Sequence, residues 1–112
     1  MKARATYFEI HEADDAEWVR LQLTGELDLG STPVLKRRLA ELQAENRSVR
    51  LDLSRLGFMD SSGVHLLVSA LNDAYDDGWR LEVDPHRSAQ VERLFRLSGV
   101  EGVFAGHAMN GA

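Results

Sequence analysis

The stretch VRLDLSRLGFMDSSGVHLLVSAL, residues 49–71, decides the reading of this chain. Val49, Leu51 and Leu53 alternate with Arg50 and Asp52, the period of a strand with one buried face. Leu56, Phe58 and Met59 then lead into Asp60-Ser61-Ser62-Gly63, after which the period changes. Val64, Leu67, Val68, Leu71, Ala74 and Tyr75 fall at i, i+3, i+4, i+7, i+10 and i+11, which predicts an amphipathic helix closed by Gly78. A strand, a tight polar turn and a helix in that order form half of a strand–helix–strand unit.

The flanking sequence supplies the rest of the sheet. Upstream, Thr6 to Ile10 and Trp18 to Thr24 read as strands, joined in a hairpin across the acidic turn Glu12-Ala13-Asp14-Asp15-Ala16. After Gly25-Glu26-Leu27-Asp28, the run Ser31-Thr32-Pro33 predicts a helix start, with a hydroxyl capping free amides and proline where no donor is needed. Leu35, Leu39 and Leu42 carry that helix to about Asn46. Downstream, Leu81 and Val83 mark a strand stopped by Pro85. Val91, Leu94 and Phe95 mark a helix closed by Gly99, Val103 and Phe104 a short last strand, and Ala105 to Ala112 a frayed end. Strand–helix–strand units of this length favour parallel pairing through right-handed crossovers. The expectation is an α/β fold: one domain over residues 1–112, core about 5–104, with a small mixed sheet flanked by helices.

Composition removes several classes of function. The chain has 112 residues, with 13 Lys+Arg against 18 Asp+Glu and a formal charge of −5. An acidic domain lacks the basic surface that neutralises phosphates, so DNA or RNA is not expected as a direct partner. With no cysteine, disulfides, thiol nucleophiles and cysteine-based metal sites are excluded. His11, His65, His86 and His107 sit in four separate elements without metal-ligand spacing, so no metal and no cofactor are expected. No apolar run is long enough to predict a membrane-inserted segment or a signal peptide, and a cytoplasmic protein is expected.

The remaining chemistry concentrates at Asp60-Ser61-Ser62-Gly63. A nucleophile elbow needs glycine two residues before and after its serine. Ser61 has Met59 and Gly63 there, and Ser62 has Asp60 and Val64, so a serine hydrolase is disfavoured and no catalytic residue is assigned. A phosphoaspartate receiver needs a late lysine, and the lysines are Lys2 and Lys36. A serine at a helix start faces free amides and the positive end of the helix dipole, a setting that suits a phosphate. It equally suits a plain N-cap, and local chemistry alone favours the cap.

Three blocks, LTGELDLGSTPVLKRRL (23–39), VRLDLSRLGFMDSSGVHLLVSAL (49–71) and VERLFRLSGVEGVF (91–104), resemble the signature blocks of STAS domains, specifically bacterial anti-sigma factor antagonists of the sporulation and stress-response type. The resemblance spans Trp18 to Phe104. It implies a four- or five-stranded sheet flanked by helices and a partner-switching role in transcription regulation. In such proteins the unphosphorylated form binds an anti-sigma factor that is also a serine kinase. Phosphorylation of the first serine after the loop aspartate, here Ser61, releases it, and a serine phosphatase is the implied reverse partner.

The matching loop residues are Asp60, Ser62 and Gly63, together with Gly25, Glu26, Leu27 and Asp28 in the loop that the family places alongside. One position departs: where family members often carry a small or apolar residue, this chain has His65. Helical projection puts Ser61, His65 and Asn72 together beside the buried stripe, with Ser62 turned toward the opposite side. The expected partner-binding surface is therefore Asp28, Asp60, Ser61, Ser62, Gly63, His65 and Asn72. The alternative within the fold is a STAS module that is never phosphorylated, serving as a scaffold or accessory subunit of a sensor complex or a lipid-transport ATPase.

Overall fold

The computed structural model describes residues 7–99, which form β1 (Phe8–Asp15), β2 (Trp18–Leu27), α1 (Thr32–Ala44), β3 (Ser48–Leu53), β4 (Leu56–Met59), α2 (Ser61–Asp77), β5 (Leu81–Arg87) and α3 (Ala89–Ser98). The sheet runs β1-β2-β3-β5, and β4 lies beside the end of β2. Among the described residues only the β1–β2 pair is antiparallel; β3 and β4 pair with β2, and β5 with β3, in parallel. The mixed sheet with a parallel core thus has the expected form. Its fifth strand is β4, a four-residue strand not separated in the sequence reading, while the strand expected at Val103-Phe104 and the frayed end lie outside the described residues.

The core sits between the sheet and the helices. Leu21, Leu23, Leu27, Leu51 and Leu53 from the strands meet Leu35 and Leu42 of α1 and Leu67 and Leu71 of α2, all fully buried. Burial of this kind stabilises by roughly 1.5–3 kcal/mol per large side chain. The expected core positions Leu67 and Leu71 are therefore where the periodicity put them.

Several boundaries differ from the sequence expectation for physical reasons. The hairpin turn is not Glu12 to Ala16: β1 stays paired with β2 as far as Asp15↔Trp18, and the reversal is at Ala16-Glu17, with Ala16 at φ 45°. The acidic run can remain a strand because it lies on the sheet's edge, where its carboxylates are solvated or paired. Glu12 takes Arg38 and Asp14 takes Arg47, and the charges discourage further strand pairing. Pro85 does not stop β5, which continues to Arg87 on an edge across a register shift, a place where a missing N–H is tolerated.

Helix α2 is rotated from the expected phase. Its buried line is Gly63, Leu67, Leu71 and Ala74, whereas Val64 and Val68 are half-buried and Tyr75 is 68% exposed. The reason is packing on two sides: α2 meets the sheet and also faces α1, so apolar residues on either flank count as interior only in part.

Candidate functional site

Two loops meet at the carboxyl end of β2. In the first, Ser31 stands at the N-cap position of α1, yet its hydroxyl makes no capping bond, against expectation. It points backward, donating to the Glu26 carbonyl (2.7 Å) and accepting from the Asp28 N–H (2.9 Å). Asp28 Oδ1 in turn accepts from the N–H groups of Gly30 (3.0 Å) and Ser31 (3.1 Å). Asp28 is thus committed to shaping its own turn. Gly25 is held at φ 93° where an added Cβ would lie 2.1 Å from the Tyr7 carbonyl oxygen, so only glycine fits.

In the second loop Asp60 is extended, at φ −99° and ψ −174°, and its Oδ1 accepts from the N–H groups of Ser62 (2.9 Å) and Gly63 (3.1 Å). Asp60 is therefore the cap of α2. The capping role that local chemistry favoured for a serine of this loop is filled by the aspartate, and neither serine hydroxyl has a hydrogen bond among the described residues. The loops are joined directly: the Asp60 N–H donates to the Leu27 carbonyl (3.2 Å). Gly63 is buried at that junction, where a Cβ would meet Met59 at 2.6 Å and the Leu27 carbonyl at 2.8 Å.

Between α1 and α2 runs a groove of 880 Å³ whose mouth is at this junction. Its apolar lining includes Leu39, Leu66, Ala70 and Trp79, and its polar lining includes Lys36, Ser61, Ser62 and His65. Ser61 and His65 are exposed, and Ser62 is half-buried. The expected contrast between the serines is thereby reversed. Ser61 is the solvent-facing one and Ser62 the one turned inward, because the buried line of α2 is centred on Gly63 and Leu67 rather than on Val64 and Val68. Beside the mouth, Leu29 is 75% exposed.

Of the expected surface, Asp28, Asp60, Ser61, Ser62 and His65 are brought together at the two loops and the first turns of α2, whereas Gly63, expected to face the partner, is buried there because it packs against Met59 and Leu27. Asn72 is not brought there: it is exposed, does not line the groove and stands 11 residues beyond Ser61, roughly 16 Å along the helix. Lys36, Leu29 and the groove itself escaped the sequence reading. Lys36 lies one position from the apolar Leu35 and reads as ordinary helix-surface charge until α2 is packed beside it.

Among the described residues no group of three or more metal-binding side chains occurs, and no helix is long and apolar enough to cross a membrane.

A family model described as "Mlab, STAS domain" matches residues 10–106, and the chain belongs to the STAS domain family. The chain is similar to the anti-sigma-B factor antagonist of Bacillus subtilis strain 168, at 27% identity over 85 residues, covering 76% of this chain and 77% of that protein. In fold it is similar to an anti-sigma factor antagonist from Mycobacterium paratuberculosis, with a TM-score of 0.69 and 20% identity over 88% of this chain and 83% of that one. It is also similar to the phosphorylated form of the Bacillus cell fate determinant SpoIIAA, with a TM-score of 0.62 and 25% identity over 88% and 87%.

Proposed function

We propose that this protein is an anti-sigma factor antagonist that works as a phosphorylation-controlled partner switch, with Ser61 as the phosphoacceptor. The observation that carries this reading is the division of labour at the start of α2. Asp60 does the capping, so the Ser61 hydroxyl is exposed, held on a rigid helix end, and without a hydrogen bond among the described residues. A hydroxyl needed for capping would be tied down. The names of the similar proteins support the same reading.

In its unmodified form the protein docks an anti-sigma factor serine kinase over the Asp28 loop and the first turns of α2, with exposed Leu29 as an apolar contact. The kinase transfers the γ-phosphoryl group of ATP to Ser61 Oγ, whose proton leaves to a base on the kinase. Phosphate brings about −1.5 to −2 charges to a surface that already holds Asp28 and Asp60. A loss of only about 1.4 kcal/mol lowers affinity tenfold, enough to release the partner and let it seize its sigma factor. A serine phosphatase resets the switch. The protein supplies no catalytic group and acts in the cytoplasm.

The test is incubation with the kinase and ATP followed by peptide mass spectrometry, expecting phosphate on Ser61. Ser61→Ala should bind the kinase constitutively and Ser61→Asp more weakly. Phosphate on Ser62 alone would overturn Ser61 as the acceptor, and phosphate on neither serine with a kinase that binds would promote the unphosphorylated scaffold.

A further inference from the structure

A phosphate placed on Ser61 would find most of the usual helix-end donors already engaged. The N–H groups of Ser62 and Gly63 donate to Asp60 Oδ1, and that of Val64 donates to the Asp60 carbonyl. The Asp60 carboxylate, one residue away, adds repulsion. Asp28 points its Oδ1 at its own turn and offers no positive charge. The Ser61 N–H can donate a bond but carries no formal charge, so full countercharge comes from side chains, and the groove that Ser61 lines contains two candidates, Lys36 from α1 and His65 from α2. Neither makes a hydrogen bond or ion pair among the described residues. Of the other titratable groups on the groove, Asp73 is 12 residues along α2 from Ser61, roughly 18 Å away.

We propose that His65, assisted by Lys36 across the groove, is the receiving site for the phosphoryl group on Ser61, a refinement that rests on Ser61 being the phosphoacceptor. Ser61 and His65 are at i and i+4, on one side of the helix about 40° apart in projection. Helical side chains lean toward the N-terminus, so the imidazole of His65 leans over the turn that carries Ser61. A protonated imidazole beside a phosphate donates a charge-assisted hydrogen bond and offsets part of its charge, and the Lys36 ammonium adds a second positive group from α1.

The experiment installs phosphoserine at position 61 by genetic encoding, so that no kinase is required, and follows its ³¹P resonance through a pH titration. An exposed i,i+4 ion pair corresponds to a shift of about 0.3 pH unit. The phosphate midpoint should therefore lie about that much lower in the otherwise native protein than in His65→Gln, while His65→Arg, with a permanent charge, should restore the low value. Lys36→Ala should raise the midpoint by less. Identical midpoints in the otherwise native protein and in His65→Gln, or a rise confined to Lys36→Ala, would overturn the assignment. A kinase that leaves Ser61 of the native protein unmodified would instead overturn the proposed function, and the titration would still read the pairing.

Discussion

The two polar regions of this molecule follow opposite rules. On the face of the sheet away from α1 and α2, charged side chains are answered from within. Arg20 reaches Asp52 (3.1 Å) and Asp84 (3.4 Å), Gln22 donates to Asp52 (3.3 Å), and Arg50 reaches Glu82 (3.0 Å). The guanidinium groups of Arg50 (4.5 Å) and Arg80 (4.3 Å) both stack on the ring of Trp18. At the mouth of the groove, Lys36, Ser61, Ser62 and His65 have no side-chain partner among the described residues. Polar groups that satisfy one another build an architecture, whereas exposed ones held on a rigid frame are available to something outside it. That contrast supports the proposed place of the switch better than the polarity of either region does.

The largest effect should come from beneath the groove rather than from either polar region. Leu71→Ala removes a fully buried side chain that seats α2 on the sheet, and should cost about 2–5 kcal/mol in a denaturant titration. An unmoved midpoint would mean that α2 does not depend on that seat. Gly63→Ala should follow at about 1–3 kcal/mol, because its Cβ has no room against Met59 and the Leu27 carbonyl. If instead it proved neutral, the two loops would not be locked together as described.

Next comes the open sheet face. Burial pushes the Asp52 carboxyl up, but hydrogen bonds from the Ser54 hydroxyl and N–H and from Gln22, with the charge of Arg20, outweigh it and hold the group below its ordinary value. A depressed carboxyl contributes stability above its unfolded pKa, near 3.9, and loses it as pH falls through the folded value. Asp52→Asn should lower stability at pH 7 by about 1–3 kcal/mol and flatten the acid limb below pH 4. A limb as steep as that of the native protein would place the titrating group elsewhere.

The smallest effects on stability should be at the groove mouth. Ser61→Ala, His65→Gln and Lys36→Ala should each lie within about 0.5 kcal/mol of the native protein by thermal denaturation, since no internal bond is lost. Destabilisation by more than that in Ser61→Ala would show a structural role for the hydroxyl and erase the contrast between the two regions.

Much was legible before any packing was known. The alternation Val49-Leu51-Leu53, the change of period after Gly63 and the left-handed stops at Gly78 and Gly99 are local properties. They identify the three helices and all the described strands but β4, because hydrophobic periodicity and glycine's conformational freedom act over a few residues. The family blocks likewise single out Asp60-Ser61-Ser62-Gly63 by residue type and spacing alone.

Tertiary structure decided what each of those groups is free to do. A sequence cannot say whether aspartate or serine caps α2, since both are good caps, and only the chain path into the helix aims Asp60 at two N–H groups. Nor can it fix the rotation of α2, because Val64 and Tyr75 look as apolar as Leu67 until the sheet and α1 are both in place. That rotation exposes Ser61, turns Ser62 inward and leaves Asn72 outside the groove. Lys36 and His65 are separated by 29 positions in sequence, and their place on one groove follows only from packing two helices side by side on a parallel sheet.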